Sequence, residues 1–512
     1  MNIADAILSK GEDSAQAVLN KDGALTYREL RRRVAQVSSS LLARGHRKGN
    51  RIGIFAENSP FFVIAYLGII RAGLVAVPFQ TDLGEETFRK IVSDAGMREI
   101  LASERFLNKL APLAKTTGTA LLSESKLENL PSGAWIGVPE IDAARDLAAL
   151  MFTSGSTGSP KGVMVSHRNI ECNTRDIIAY MGLTSEDRVM VVLPFHYCFG
   201  VSLLHTHLMA GGSVVLNNGF KLFPEAVLQD MLQYECTGFA GVPSTYQILL
   251  RKSRFRETRF PKLCWFQQAG GKLPNPQIAE VLSSFPQVRY FLMYGQTEGT
   301  ARLSYLPPEC LAGKLGSIGR GLPSTSLEVL RADGTAVTPG SNETGEIVAS
   351  GDNITSGYWN DLVETSKYFR NGRLHTGDIA RMDADGFIFV VERERDMIKS
   401  GGNRVSAKEV EDAVAELSDV VEVAVLGAPH ELLGECIKAF VVTVPGSKLA
   451  PQDVKEHCRE RLSSFKVPEE IFFLGNMPHN SSGKILKHKL SEMLPGHRPN
   501  TTLPEARSMN AA

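Results

Sequence analysis

A chain of 512 residues is too long for one ordinary hydrophobic core, and its length predicts about two to four globular units. Hydrophobic residues make up 43% and charged residues 22%, as in water-soluble globular proteins. Lysine plus arginine and aspartate plus glutamate both number 56, so net charge gives no basis for nucleic acid or an anionic membrane surface as the main partner.

Met1–Gln16 has no basic stretch followed by a long apolar core, so no signal peptide is expected. The longest apolar run, 61–70, is too short to span a bilayer. Seven scattered cysteines without a CxxC pair argue against a zinc site or disulfide framework, and a reducing cytoplasm is expected.

In chain order, Thr26 and Glu29 stand at capping-box spacing and predict a helix start. A short buried strand over 51–56, a helix over 59–72 ended by Gly73, and a strand over 74–77 form a βαβ unit with parallel strands. Apolar runs at 147–152, 188–193, 213–216, 238–242, 262–266 and 288–293 extend the pattern. The turns after four of them hold TSGSTGSPKG, PFHYCFG, QQAGGK and YGQTE. Ligands of open α/β sheets sit at the carboxyl ends of strands, so these turns are expected to build one composite site. A second unit begins near residue 394, with a helix from Ser406, strands over 420–426 and 437–444, and a helix opened by Pro451. Residues 491–512, with three prolines, are expected to be a frayed tail.

The segment Thr153-Ser154-Gly155-Ser156-Thr157-Gly158-Ser159-Pro160-Lys161 follows a predicted strand. Its glycines can turn backbone amides toward an anion, its hydroxyls add neutral donors, and Lys161 adds charge, a combination suited to a triphosphate tail. A plain Ser/Gly linker rarely carries a Pro-Lys-Gly directly after a buried strand. No GxxxxGK[ST] occurs, so it is not a Walker loop.

This segment resembles the phosphate loop of the adenylate-forming superfamily, which includes acyl-CoA synthetases, aryl-CoA ligases, peptide-synthetase adenylation domains and firefly luciferase. Further signatures follow in the family's order: Tyr294-Gly295-Gln296-Thr297-Glu298, Gly345-Glu346-Ile347 with Gly357-Tyr358, Thr376-Gly377-Asp378, Arg393 to Lys399, and Ser482-Gly483-Lys484. The resemblance implies a large α/β domain with mostly parallel sheets over 1–394 and a small mobile α+β lid over 395–490. It implies ATP and Mg²⁺ as cofactors. Tyr294 would stack on adenine, with Gly295, Gln296, Gly270 and Gly271 around the nucleotide; Thr297 would donate to the α-phosphate, and Asp378 and Arg393 would hold the ribose. Glu298 would be the magnesium ligand and Lys484 the catalytic lysine, its ammonium stabilising charge that builds up only in the transition state. Read alone, each of these would more often be a core tyrosine, a turn aspartate, a solvated acid or a solvated lysine face.

By the same resemblance, Arg395 falls at the hinge on which the lid rotates between half-reactions, and Gly401 and Gly402 would let a thiol arm pass close to the backbone. Ala407 replaces a proline of many relatives without consequence for the helix, given the Ser406 cap. The acyl pocket is expected to involve His196, Phe199, Val242, Ala269 and Gly299, with Lys272 nearby. Amino-acid-activating members carry an aspartate where this chain has His196, so the substrate is expected to be a carboxylic acid without an α-amino group. The acceptor is expected to be coenzyme A; phosphopantetheine on a carrier protein and an amine, as in coronafacate-type ligases, are the alternatives. A luciferase-like oxygenase shares every motif but needs an oxidisable substrate. A non-catalytic nucleotide sensor would be expected to have lost Lys484, Glu298 or Asp378.

Overall fold

The computed structural model describes residues 1–128, 137–154, 160–393, 397–400, 403–430, 432–480, 483 and 485–494. The chain divides into two compact units, Met1–Arg395 with Ser481–Lys484, and Asp396–Asn480 with Ile485–Ala512.

Among the described residues, the first unit contains three sheets. In the six-stranded sheet the order is Ala120–Ser123, Glu99–Ala102, Arg51–Phe55, Val75–Pro78, Leu147–Ser154 and Pro160–Ser166. Its pairs are parallel except the last. The predicted βαβ unit is present: Ser59 caps the helix Pro60–Arg71 by accepting from the Phe62 N–H, and the flanking strands pair in parallel. Every residue from Phe61 to Ile70 is buried, which explains why the run lacks a polar face.

The nine-stranded sheet contains Arg188–Val191, Ser213–Leu216, Gly238–Gly241, Trp265–Gln268 and Arg289–Tyr294, parallel to one another, with antiparallel strands at both edges. Here one boundary differs from expectation. The fourth of these strands runs through Gln268 rather than ending near 266, because Gln267 and Gln268 are buried and pair along the ladder. The third sheet was not anticipated. It is antiparallel throughout and contains Thr325–Leu330, Gly345–Gly351, Phe369–Arg370, Arg373–Met382 and Ile388–Arg393. The turns expected to build one composite site come from two sheets, since Leu147–Ser154 belongs to the six-stranded sheet and the other three strands to the nine-stranded one.

The second unit builds a five-stranded sheet around the long hairpin Val420–His430 and Gly434–Thr443. The helix Ala407–Val414 begins where the capping pair predicted, with the Ser406 hydroxyl accepting from the Glu409 N–H at 3.2 Å. The helix Lys487–Glu492 includes the first two residues of the predicted tail; residues 495–512 lie outside the described residues. Among the described residues, no helix is long and apolar enough to cross a membrane.

Candidate active site

The strand Arg289–Tyr294 runs into the turn Gly295–Thr300, and this turn is where the site's side chains gather. A Cβ on Gly295 would lie 2.0 Å from the carbonyl oxygen of Ala301, so the chain can double back only with glycine there. Thr300 adopts φ +66°, and its hydroxyl donates to the Asn353 carbonyl at 2.6 Å. The fully buried Asn353 amide donates in turn to the carbonyl of Arg302 at 3.0 Å. This buttress comes from 53 residues downstream, and no local pattern announced it.

The turn presents Glu298. Its carboxylate accepts from the Tyr358 hydroxyl at 2.7 Å, and its backbone carbonyl accepts from the Thr355 N–H at 2.9 Å. The segment holding Tyr358 also pairs with the strand that follows the Ser/Gly segment: the Trp359 N–H donates to Gly162 O at 2.7 Å and the Met164 N–H to Gly357 O at 3.0 Å. The Lys161 ammonium lies over the Tyr358 ring at 5.6 Å and forms an ion pair with Glu364. The hydrogen bond from Lys161, followed by that from Lys367, holds the Glu364 carboxyl below the usual carboxylate range. Burial and the adjoining Glu298 charge push the Tyr358 hydroxyl far above its ordinary value, so it stays a donor. Lys161, Tyr358 and Glu298 thus form one cluster across two sheets, with Tyr358 as the link. Tyr358 and Glu364 had no assigned role in the sequence reading. Thr153 and Ser154 end the strand before the Ser/Gly segment; Gly155, Ser156, Thr157 and Gly158 lie outside the described residues, as do Arg395, Gly401, Gly402 and Lys484.

Tyr294 and Asp378 meet directly. The Tyr294 hydroxyl donates to the buried Asp378 carboxylate at 2.6 Å, which fixes the ring at the strand end and orients the acid. The third sheet supplies Asp378 and sets Arg393 opposite it in the ladder. Glu346 of the Gly-Glu-Ile motif supports this corner by accepting from the Gly377 N–H at 3.0 Å and contacting His375 Nδ1 at 2.7 Å.

The turn after Arg188–Val191 brings His196, Cys198 and Phe199. Asn58 shapes it: its side chain accepts from the Phe195 N–H and donates to Leu193 O, both at 2.8 Å. Gly200 is required, because a Cβ would sit 2.2 Å from Pro194 O. Burial pushes the His196 imidazole down to about 4, so the ring is neutral near neutral pH. The Thr297 hydroxyl donates to Cys198 Sγ at 3.4 Å and ties this turn to the Gly295–Thr300 turn. Beside them, Gln268 holds the Ala269–Gly271 turn by donating to Gly271 O at 2.7 Å, and Gly270 at φ +84° lies against Val242. A cavity of about 260 Å³ opens among His196, Asn58, Asp82, Lys221, Val242 and Thr245. Of the expected acyl-pocket residues, His196 and Val242 line it, whereas Phe199, Ala269 and Gly299 do not.

The Glu298 carboxylate, held in one orientation by the Tyr358 hydroxyl, is a hard oxygen donor that would serve magnesium as a single-carboxylate ligand. Magnesium is commonly bound this way, with the remaining ligands from substrate phosphates and water.

The family profile described as AMP-binding enzyme matches residues 8–359, and the profile of the AMP-binding enzyme C-terminal domain matches residues 409–484. A feruloyl-CoA synthase of Amycolatopsis sp is 34% identical over 488 residues, spanning 92% of this chain and 94% of that protein. The crystal structure of ATP-bound MatB from Rhodopseudomonas palustris superposes with a TM-score of 0.84 at 26% identity, over 96% of this chain and 98% of that one. The o-succinylbenzoate coenzyme A synthetase (MenE) from Bacillus subtilis, in complex with ATP and magnesium ion, gives a TM-score of 0.83 at 28% identity, over 96% and 99%.

Proposed function

Since the chain belongs to the AMP-binding enzyme family and is an AMP-forming acid ligase, we propose that it couples a carboxylic acid without an α-amino group to the thiol of coenzyme A through an acyl-adenylate. The observation that carries the reading is the meeting of Lys161, Tyr358 and Glu298 in the same unit as the Tyr294–Asp378 pair. Phosphate-facing and nucleoside-facing groups are thereby supplied by neighbouring turns.

In the first half-reaction, a carboxylate oxygen of the acid attacks the α-phosphorus of ATP and the bond to pyrophosphate breaks. Tyr294 and Asp378 bind and orient the nucleoside, and Thr297 donates to the α-phosphate. Magnesium held by Glu298 would supply positive charge beside the phosphate oxygens. The Tyr358 hydroxyl keeps the Glu298 carboxylate in one orientation. Lys484 meets the charge that grows on the phosphorus oxygens, an interaction worth most in the transition state. In the second half-reaction, the thiolate attacks the acyl carbonyl and AMP leaves. The small C-terminal unit, hinged at Arg395, would turn between the two and present Gly401 and Gly402 to the thiol arm.

The feruloyl-CoA synthase named above supports coenzyme A as acceptor. Against an amino-acid substrate stands His196, whose neutral ring offers no charge to an ammonium group. The test is pyrophosphate release from ATP and Mg²⁺ across short, medium, long and aromatic acids, each with and without coenzyme A. Release that rises sharply with coenzyme A for one acid is the expected result. Release that stalls near one turnover with coenzyme A present replaces it by a carrier protein or an amine, and best turnover with an amino acid overturns the substrate class.

A further inference from the structure

The balanced net charge of the chain hides a local excess. From the end of the helix Pro243–Lys252 to Lys262, six of the twelve residues 251–262 are basic and one, Glu257, is acidic. The loop is pinned in place, because Phe255 and Phe260 are buried and pack with Phe285, the first at 4.7 Å between ring centroids. The charged side chains between these rings are thereby held at the surface. Arg251 and Arg256 share the Glu280 carboxylate at 2.7 and 2.9 Å, and Arg254 pairs with Glu225 at 3.6 Å. Lys252, Arg259 and Lys262 are exposed and enter none of these pairs. Glu225, Glu257 and Glu280 therefore leave the six cations only partly neutralised.

The same surface carries an apolar tip. Leu222 is 79% exposed and Phe223 64% exposed, at the turn before the helix Pro224–Gln233. The tip is fastened to the basic loop: Glu225 accepts from the Arg254 N–H at 2.5 Å, and Phe220 packs in the same cluster as Phe255 and Phe260. Two adjacent large apolar side chains in water gain free energy from any apolar surroundings that take them up. Exposure this high sets them outside the surface, a shape for insertion rather than a groove. A nucleic acid would use the cations and leave the tip in water. An anionic lipid surface takes both, since its acyl boundary accepts Leu and Phe while its headgroups attract Lys and Arg.

We propose that this face docks on an anionic membrane surface, with Leu222 and Phe223 entering the boundary between headgroups and acyl chains and residues 251–262 supplying the attraction. The contact is peripheral and involves no membrane span. Leu222 directly follows Phe220 and Lys221, which line the cavity beside His196, so docking sets one wall of that cavity at the lipid surface, where amphiphilic acids concentrate.

The experiment is co-sedimentation of the full-length enzyme with sucrose-loaded vesicles of phosphatidylcholine alone, and of phosphatidylcholine with about 30% phosphatidylglycerol, in low salt and in ~0.5 M salt. The wild-type enzyme is expected to favour the anionic vesicles by roughly 10-fold or more, and salt to remove most of that preference. Leu222→Ser/Phe223→Ser and Lys252→Gln/Arg259→Gln/Lys262→Gln are each expected to cut binding by roughly 10-fold. Both should leave pyrophosphate release without vesicles unchanged, which also shows that they fold. Equal recovery on the two lipids, or binding indifferent to both variants, overturns the proposal. So does binding to double-stranded DNA in place of vesicles, lost in the charge variant and kept in the Leu222/Phe223 variant, because the surface then serves a polyanion. Vesicle binding is read without ATP or acid, so its outcome and that of the ligase reading are separate.

Discussion

At the residue scale, the site depends on side chains whose partners lie far along the chain. Glu298 is singled out by a contiguous motif, but the Tyr358 hydroxyl that orients its carboxylate lies 60 residues downstream. Asp378 and Tyr294 were read separately, and the 2.6 Å bond joining them spans 84 residues. Asn58, Asn353 and Glu364 carry no local signature at all. His196 is expected in the acyl pocket, and burial pushes its imidazole down to about 4, which leaves the ring neutral near neutral pH. Lys484 gives the sharpest test of the chemistry. Lys484→Ala should lower the rate of pyrophosphate release by about 10²–10³-fold, in line with loss of one preorganised charge in the transition state. Thioester formation from chemically prepared acyl-adenylate should change far less, because that half-reaction does not involve the α-phosphate. Equal losses in both assays would remove the assigned role.

At the scale of elements, the turns were better predicted than the strands that deliver them. Motif spacing placed the Gly295–Thr300 turn directly after a strand, and the strand ends at Tyr294. Helix starts at Tyr27 and Ala407 follow from Thr26 and Ser406, whose hydroxyls each accept from the backbone N–H three residues on. These are local effects, visible in a window of four residues. The need for glycine at 295 is not local, since the obstacle is the carbonyl of Ala301 folded back on it. Gly295→Ala is expected to destabilise the protein by about 1–3 kcal/mol and to raise the KM for ATP. Gly313, where a Cβ meets nothing within 4 Å, is the control: Gly313→Ala should leave both unchanged. Urea midpoints and ATP titrations on the two variants check this, and identical behaviour would mean the turn relaxes freely.

At the scale of the whole molecule, the interior of the first unit stores histidines in neutral form. Burial pushes His167 and His207 down to about 4 and His205 to about 3, and His196 stands at about 4. His167 Nδ1 accepts from the Ile3 N–H at 3.1 Å, and His205 Nε2 meets the Tyr66 hydroxyl at 3.0 Å, contacts that suit neutral rings. The unfolded chain takes up these protons near the ordinary value of 6.5, whereas the folded chain resists until about 4. Stability should therefore be unaffected by these groups above about 6.5 and fall as the pH drops from there toward about 4, with several protons taken up on unfolding. For His167 alone the shift corresponds to roughly 3 kcal/mol as an upper order of magnitude. Urea unfolding across that range checks the slope; a flat profile would show that the rings titrate normally. The sequence by itself determined the family, the order of the elements and the identity of the motif residues, because caps, strand runs and signature turns are written in contiguous residues. Only the tertiary structure decided that the site draws on three sheets and that Tyr358 joins Lys161 to Glu298. Those facts depend on contacts between residues distant in sequence.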